Sequence, residues 1–200
     1  MTIKTGGRLP PLHFKQIYSD IYNKIISSTE RKKSEMKNVV LIGMPGAGKS
    51  TIGVLLAKSM LYSFVDTDLL IQNSYGKSLC DIIDENGTDE FLRIENDVIC
   101  SGEFKQSVIA TGGSAVYGKE AMQKLKENGT VVYLQLPLGE IERRLGDIHT
   151  RGVAMKNGTT VAELYDERKA IYEKYADINL DCSGLTAEQC VDRIIEMIYI

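Results

Sequence analysis

Short apolar segments alternate with longer amphipathic ones along the chain from residue 38 onward. The short segments are rich in Val, Ile and Leu, and they lack the strict alternation of polar and apolar residues that a half-exposed strand shows. Such segments are typical of parallel strands that are buried on both faces. They predict five strands, at Asn38–Ile42, Tyr62–Asp66, Ser107–Ala110, Thr130–Leu136 and Ile178–Asp181.

Between these strands, apolar residues recur at the spacing of an amphipathic helix. The spacing predicts helices at Thr51–Lys58, Leu69–Tyr75, Leu79–Asp84, Thr88–Cys100, Lys119–Asn128, Gly139–Leu145, Val161–Ala176 and Thr186–Tyr199. Strands and helices that alternate in this order build a parallel sheet with helices on both faces. We therefore expect an α/β fold, a three-layer sandwich with a central, five-stranded parallel sheet.

A glycine-rich segment between the first strand and the first helix predicts a phosphate-binding site in this fold. Residues 43–51, Gly-Met-Pro-Gly-Ala-Gly-Lys-Ser-Thr, fit the pattern G-x-x-x-x-G-K-[ST], whose backbone N–H groups and helix N-terminus bind phosphate. Lys49 is expected on the β- and γ-phosphates and Ser50 on Mg²⁺. The fold is then a P-loop NTPase fold of the nucleoside-monophosphate-kinase-like type. The expected nucleotide-binding residues of this loop are Gly46, Ala47, Gly48, Lys49, Ser50 and Thr51.

Other candidate groups follow the second and third strands. Asp66 and Asp68 end the second strand, and Gly112 and Gly113 follow the third. Ligands of such sheets bind beyond the carboxyl ends of the strands. If the chain stays extended, both carboxylates point toward the loop, where one can support Mg²⁺ and the other can accept the proton of an attacking hydroxyl. The alternatives are a solvated turn in which Asp68 caps a helix, and a tight turn at the two glycines.

A polar segment punctuated by glycines, residues 146–160, predicts a lid. Arg144, Arg151 and Arg168 lie before, within and after it, and arginines in a mobile segment can close over phosphates. Ordinary surface charges are the alternative for each. The domain that contains the glycine-rich loop is expected to span residues 37–200. Residues 1–36 are expected to form an N-terminal helical extension and linker, since apolar residues recur at helical spacing between 13 and 33.

Composition limits the partners and the compartment. The 200-residue chain has a formal net charge of −3 and is 43% hydrophobic, which is ordinary for a globular protein. No large basic block favours nucleic acid, and no apolar run approaches the roughly 20 residues of a membrane span. The four cysteines form no C-x-x-C pair, and the N-terminus has no apolar signal core. We expect a cytoplasmic monomer with free thiols that acts on a small molecule, without nucleic-acid or membrane partners.

Two other classes of nucleotide-binding protein lack their signatures here. A GTPase needs Asn-Lys-x-Asp after the loop, whereas the Asn-Lys pair at Asn23 precedes the loop and continues with two isoleucines. A motor ATPase needs an apolar strand that ends in Asp-Glu, and neither the third nor the fourth strand ends so.

The order of these features resembles that of the shikimate kinase family over residues 38–198. The segments that carry the resemblance are the loop at Gly43–Thr51, the D-x-D at Asp66–Asp68, the helical segment Phe91–Glu95, the triple-glycine-like loop Thr111–Val116, the lid arginine Arg151, and Glu167–Tyr172 followed by Ala176–Asp177.

The resemblance implies a set of roles around ATP, Mg²⁺ and a small hydroxy-acid acceptor. It implies Asp66 as the residue that serves Mg²⁺ together with Ser50. Lys49, Asp68 and Arg151 would be the catalytic residues, with Arg151 in contact with phosphate. Arg144 would pack on adenine. The implied acceptor-binding residues are Asp68, Gly112, Gly113, Arg168 and Arg93.

Three positions depart from the family pattern. The family has an arginine directly after the phenylalanine of the substrate helix, where it pairs the substrate carboxylate; here that position is Leu92, and the arginine is Arg93. One residue is about 100° around a helix, so Arg93 is expected to face elsewhere unless the helix shifts. The third glycine of the family loop is Ser114. The lid continues from Arg151 with Gly152, where the family has proline.

We therefore expect an ATP-dependent small-molecule kinase that phosphorylates a hydroxyl of shikimate, as in aromatic amino-acid biosynthesis. Because of Leu92 and Ser114, the alternative is a related enzyme that acts on another hydroxy acid or on a hydroxy amino acid. A third hypothesis comes from a different class of protein. It is a nucleotide-binding interaction module without turnover, which would dock a partner through residues 13–33.

Overall fold

The computed structural model describes residues 37–146, 152–155 and 158–199, which are organised around one parallel sheet. The strands occur in the spatial order β2-β3-β1-β4-β5, and every neighbouring pair is parallel. The predicted five-stranded parallel sheet is thus confirmed, while the predicted N-terminal helix and linker lie outside the described residues. The strands are β1 (Asn38–Ile42), β2 (Ser63–Asp66), β3 (Ser107–Ala110), β4 (Gly129–Gln135) and β5 (Ile178–Asp181).

Helices follow the strands as predicted, with small differences at their ends. The first helix begins at Lys49 and not at Thr51, because Gly48 takes a left-handed conformation with φ 96° directly before it. No helix among the described residues is long and apolar enough to cross a membrane. The helices are α1 (Lys49–Met60), α2 (Thr67–Tyr75), α3 (Leu79–Asn86), α4 (Thr88–Ser101), α5 (Lys119–Glu127), α6 (Leu138–Leu145), α7 (Val161–Tyr175) and α8 (Ala187–Tyr199), with a short 3₁₀ helix at Ala115–Tyr117.

Two apolar clusters hold these layers together. The larger one surrounds the central strands, and all five residues of β1 and all four of β3 are buried. Burial on both faces explains why these strands show no alternation of polar and apolar residues. The smaller cluster lies among α2, α3 and α4. Its buried members are Ile71, Ile82, Phe91, Ile94 and Ala154, the last of which comes from the described part of the predicted lid.

The register of the strands brings their carboxyl ends together. Ala110 on β3 pairs with Leu41 on β1 and with Asp66 on β2, so these three strands end at one level of the sheet. Thr111 continues past β3 and donates both its N–H, at 3.2 Å, and its hydroxyl, at 3.0 Å, to the carbonyl oxygen of Leu41. The Gly112 N–H donates to Thr67 Oγ1 at 3.0 Å. The loops that follow β1, β2 and β3 are therefore held side by side.

Two glycines in helices give the fold a matched stability test. A Cβ added at Gly53, inside α1, would lie 2.7 Å from Phe64 Cε2 and 3.4 Å from Leu41 Cδ1. We expect Gly53→Ala to lower the free energy of unfolding by about 1–3 kcal/mol, because this overpacking outweighs the gain in helix propensity. At Gly139 in α6, an added Cβ meets no described atom within 4 Å, so Gly139→Ala is expected to stabilise by up to about 1 kcal/mol. Urea denaturation measures both, and stabilisation by Gly53→Ala would contradict the packing described.

Candidate active site

A cavity of about 610 Å³ opens at the carboxyl edge of the sheet. Three of the predicted residues do not line it: Ala47, Asp66 and Arg93. Ala47 is buried, and its N–H donates to the Met44 carbonyl oxygen at 3.0 Å. Arg151 lies outside the described residues. The predicted residues that line the cavity are Gly46, Gly48, Lys49, Ser50, Thr51, Asp68, Gly112, Gly113, Arg144 and Arg168.

The glycine-rich loop forms one wall of the cavity. Gly46 and Gly48 have φ values of 83° and 96°, which residues with a side chain rarely adopt, so glycine is needed at both positions. The first turn of α1 contains no acidic residue. The N-terminus of this helix therefore has no negative charge of its own that would oppose an incoming anion.

Lys49 carries the charge of this wall. Its side chain is only 8% exposed, and its Nζ donates to the carbonyl oxygens of Gly43 at 2.8 Å and Met44 at 3.0 Å. Burial lowers the Lys49 pKa to about 8, although the nearby Asp68 carboxylate opposes this shift. Within the described part of the chain, no carboxylate lies within ion-pair distance of Lys49. A buried cation with neutral partners is suited to bind a phosphate.

Ser50 at the beginning of α1 and Asp66 at the end of β2 bring two oxygen-bearing side chains together. The Ser50 hydroxyl donates to Asp66 Oδ2 at 2.6 Å, and Asp66 Oδ1 accepts from the N–H of Asp68 at 3.0 Å. Mg²⁺ prefers such oxygen atoms and is commonly held by one or two protein groups together with water and substrate phosphates. Among the described residues, no group of three or more His, Cys, Asp or Glu residues could hold a metal ion by itself. Ser50 and Asp66 therefore fit Mg²⁺.

Asp68 reaches the cavity by a route that differs from the prediction. The expected extended backbone through the D-x-D segment is wrong, because Thr67 already begins α2 and Asp66, not Asp68, caps that helix. In the first helical turn, Asp68 still lines the cavity. Burial raises its pKa to about 6, partly opposed by Lys49. A carboxylate with this pKa is mostly ionised at neutral pH and can still accept a proton.

Arg168 also lines the cavity, although it lies far along the chain in α7. Arg168 is completely buried, and its Cζ lies 5.4 Å from the centroid of the Tyr117 ring. Its Nε donates to the Tyr117 hydroxyl at 3.4 Å, and its Nη2 donates to the Ala154 carbonyl oxygen. A Cβ added at Gly113 would lie 3.0 Å from its Nη1. Among the described residues, no acidic group forms an ion pair with this guanidinium. Buried charges are normally paired, so Arg168 is suited to bind an anionic ligand.

Glu95 is the residue of this region that the sequence reasoning missed. It is 1% exposed, and its Oε1 has no hydrogen-bond partner among the described residues. Burial raises its pKa to about 7, while the Ser114 hydroxyl acts as a donor and partly opposes the shift. The signal was present in the sequence. The apolar stripe of α4 runs through Phe91, Ile94 and Val98, and Glu95 occupies a position of that stripe.

The two remaining predicted arginines differ in their positions. Arg93 points away from the cavity: its side chain is 76% exposed and pairs with Glu90 at 3.0 Å. The expectation that Arg93 binds the acceptor is therefore corrected, because α4 does not shift and one residue rotates a side chain by about 100°. Arg144 lines the cavity, donates to the Gly46 carbonyl oxygen at 3.3 Å and pairs with Glu140. Arg144 is thus placed beside the loop.

A phosphate-binding loop that faces a buried carboxylate across one cavity is the arrangement of a P-loop small-molecule kinase. Comparison with known proteins makes this class more specific. The family model for shikimate kinase matches residues 45–199. The shikimate kinase of Persephonella marina is 38% identical over 162 residues, which are 80% of this chain and 98% of that protein. The shikimate kinase of Thermodesulfovibrio yellowstonii is 36% identical over 164 residues, which are 80% of this chain and 94% of that protein.

A solved structure gives the same result. The shikimate kinase from Acinetobacter baumannii in complex with shikimate matches with a TM-score of 0.76 and 26% sequence identity, over 85% of this chain and 96% of that chain. The chain therefore belongs to the shikimate kinase family, whose members are phosphotransferases with a hydroxyl acceptor.

The buried carboxylate of Glu95 leads to a prediction about stability and pH. Its pKa is about 7 in the folded protein and ordinarily 4.5. The folded state therefore binds this proton more tightly than the unfolded state, and the protein loses stability as the pH rises from about 4.5 to about 7. We expect Glu95→Gln to remove this loss and to raise the free energy of unfolding at pH 8 by up to about 3 kcal/mol. Denaturant titrations at pH 5 and pH 8 measure the difference.

Glu90→Gln is the matched control for this variant. Glu90 lies on the same helix, and its side chain is 45% exposed in an ion pair with Arg93. Exposed pairs of this kind contribute about 0–1 kcal/mol, so we expect little change at either pH. If Glu95→Gln is less stable than the natural protein at pH 8, the Glu95 side chain has a stabilising partner and its assignment as an unpaired buried acid is wrong.

Proposed function

We propose that the protein is an ATP- and Mg²⁺-dependent kinase that transfers the γ-phosphoryl group of ATP to a hydroxyl group of shikimate. The observation that carries this proposal is the position of Lys49 and Asp68, a buried cation and a buried carboxylate, on the wall of one cavity. Family membership supports the acceptor, as does the likeness to a shikimate kinase solved in complex with shikimate.

The loop residues would bind the triphosphate. The N–H groups of Gly46, Gly48 and the first turn of α1 would surround the β-phosphate, and Lys49 Nζ would exchange its carbonyl partners for the β- and γ-phosphate oxygens. Arg144, beside Gly46, would pack on the adenine base. Arg151 would approach the transferred phosphoryl group from the lid. These interactions neutralise charge that builds up on the phosphates, which is the main catalytic requirement of phosphoryl transfer.

Ser50 and Asp66 would hold Mg²⁺, Ser50 through its hydroxyl and Asp66 directly or through water. When bound, the ion supplies positive charge to the phosphate oxygens and orients them. Asp66 also accepts the N–H of Asp68, so the residue that serves the metal and the residue that faces the acceptor are held in one small turn. This turn would therefore fix the distance between the ATP-bound Mg²⁺ and the acceptor hydroxyl.

Asp68 would orient the acceptor hydroxyl and take its proton as the oxygen attacks the γ-phosphorus. Its pKa of about 6 leaves it ionised at neutral pH. Arg168 would bind the acceptor carboxylate or the phosphate, because it is a fully buried guanidinium on the cavity wall. Gly112 and Gly113 would let the acceptor approach the backbone, since side chains there would collide with Asp68 and Pro45.

The compartment and the roles of the remaining segments belong to the same proposal. Among the described residues, Cys100, Cys182 and Cys190 form no disulfide bond, which supports a reducing compartment such as the cytoplasm. The extension at residues 1–36, the lid at 146–160 and the monomeric state stay predictions. A nucleotide-binding module without turnover is disfavoured by the intact set of Lys49, Ser50, Asp66 and Asp68.

An ADP-release assay over a panel of hydroxy acids that includes shikimate tests the proposal. We expect a saturable rate with shikimate and loss of that rate in Lys49→Ala, since the variant lacks the cation that neutralises the transferred phosphoryl group. Lys58→Ala, which removes an exposed lysine of the same helix, is the control and should retain full activity. ADP release that no acceptor stimulates would overturn the proposal and favour the module without turnover.

Asp68→Asn tests the proposed proton acceptor. We expect kcat/KM to fall by about 10²–10⁴-fold while ATP binding stays unchanged, because the amide keeps the shape of the side chain but cannot accept a proton. In the natural protein, kcat/KM should decrease as the pH falls below about 6, where Asp68 becomes protonated. Steady-state kinetics and calorimetry of ATP binding measure both effects. Asp84→Asn on the exposed surface of α3 is the control; full activity in Asp68→Asn would exclude the role.

A further inference from the structure

Tyr117 contacts Arg168 through both its ring and its hydroxyl. It ends the short 3₁₀ helix that follows the loop after β3. The Arg168 Cζ lies over the Tyr117 ring at 5.4 Å from its centroid, a distance at which a guanidinium is attracted to the face of an aromatic ring. The Arg168 Nε also donates to the Tyr117 hydroxyl at 3.4 Å. A single side chain therefore restrains the guanidinium by two different contacts.

The Tyr117 hydroxyl is itself held by Glu167. It donates to Glu167 Oε1 at 2.8 Å, so its proton points at Glu167 and its oxygen can accept the N–H of Arg168. Burial raises the pKa of Tyr117 above its ordinary value of 10, so the hydroxyl keeps this proton at neutral pH. The three side chains form a hydrogen-bonded chain that runs from the exposed Glu167 to the buried Arg168.

The contacts of Arg168 determine which of its nitrogens faces a ligand. Nε donates to Tyr117, and Nη2 donates to the Ala154 carbonyl oxygen. Nη1 is the nitrogen beside Gly113, where an added Cβ would lie 3.0 Å from it, and Gly113 lines the cavity. The Tyr117 contact thus turns Nε away and leaves Nη1 for a group that is bound in the cavity.

The orientation of Arg168 is especially important in this chain. The family has a second arginine directly after the phenylalanine of the substrate helix, whereas here Leu92 occupies that position and the Arg93 side chain is 76% exposed. Among the described residues, Arg168 is therefore the one cation predicted to bind the acceptor that lines the cavity. The planar guanidinium binds a carboxylate in a directional way, so a carboxylate with one arginine partner depends on how that arginine is held.

We propose that Tyr117 is a positioning residue for the acceptor, which holds Arg168 so that Nη1 faces the acceptor carboxylate, and that Glu167 holds Tyr117 in turn. This role rests on the proposed binding of the acceptor carboxylate by Arg168. It adds two residues that do not line the cavity but determine the affinity for the acceptor. Because the carboxylate takes no part in the transfer, its contact with Arg168 is equally strong in the substrate complex and in the transition state. Loss of positioning therefore raises KM for the acceptor and leaves kcat nearly unchanged.

Tyr117→Phe tests this role, because it removes the hydroxyl and keeps the ring. We expect KM for shikimate to rise by about 3- to 30-fold, while kcat and KM for ATP change by less than about two-fold. Calorimetry of shikimate binding should show the same loss of affinity without turnover. Tyr75→Phe, which removes the hydroxyl of an exposed tyrosine on α2, is the control and should leave all of these values unchanged.

Two changes at Glu167 separate the hydrogen bond from the charge. Glu167→Ala removes the acceptor of the Tyr117 hydroxyl and should raise KM for shikimate by about 2- to 10-fold. Loss of the negative charge alone would lower this KM, since an acidic group near Arg168 opposes the binding of an anion. The direction of the change therefore distinguishes the two effects. Glu167→Gln keeps an oxygen that can accept from Tyr117, so its KM for shikimate should not exceed that of the natural protein.

The outcomes separate this role from the proposed function. If KM for shikimate is unchanged in Tyr117→Phe, or if KM for both substrates or kcat changes with it, Tyr117 has only a packing role and the positioning role is overturned. If urea denaturation shows that Tyr117→Phe is not folded, Glu167→Ala at the exposed end of the chain decides by itself. If the natural protein binds shikimate without turnover, the proposed function is overturned and calorimetry of the same variants still tests the positioning role. Absence of both binding and turnover overturns both.

Discussion

Thr111 connects the carboxyl ends of β1 and β3 by donating its N–H and its hydroxyl to the same carbonyl oxygen, that of Leu41. The next residue, Gly112, donates its N–H to Thr67 at the beginning of α2. These short contacts set the distance between the phosphate-binding loop, the Asp66–Asp68 turn and the loop after β3. Parallel strands bring their ends to one edge of a sheet, but the polar side chains at that edge determine how closely the loops approach.

The edge held in this way concentrates buried charge. Lys49, Asp68 and Arg168 line one cavity, and Glu95 is buried beside Gly112 of its wall. Within the described residues these four groups form no ion pair with one another. Each such group costs folding free energy when it leaves water without a close partner. The apolar sheet beneath them offsets this cost, since the central strands are almost completely buried. These buried charges are thus placed to bind ligands and lower the folding stability of the protein, which is a common property of active sites.

Local patterns were sufficient to predict much of this molecule. The loop at residues 43–51 has a glycine spacing that few other structures require, and unbroken apolar runs identify parallel strands before any contact is known. The exact geometry of Asp68 was not predictable by the same means. An extended chain and a helix that begins at Thr67 both bring this carboxylate to the cavity, and the choice depends on the side chain of Asp66 as a cap.

The importance of Glu95 depends on contacts between distant parts of the chain. Its neighbours Gly112 and Ser114 follow another strand, so no local window of sequence contains the cluster. Helix geometry predicts that Arg93 turns away from the acceptor, but only the fold shows that it pairs with Glu90 at the surface. Helix periodicity identifies the buried face of α4. The three-dimensional structure is needed to show which residues of other elements contact this face.

The contact between Arg168 and the Ala154 carbonyl oxygen has a thermodynamic consequence. Ala154 also packs into the small apolar cluster with Ile71, Ile82 and Phe91. The guanidinium of Arg168 is thus hydrogen-bonded to a segment, residues 152–155, that is itself packed against the fold. A guanidinium has five N–H donors, and those not used by Ala154 and Tyr117 can serve a ligand. Arg168 is therefore a direct link between an anion in the cavity and residues 152–155. Any coupling through this link is reciprocal, so the segment changes the affinity for the anion by the same factor by which the anion changes the equilibrium of the segment.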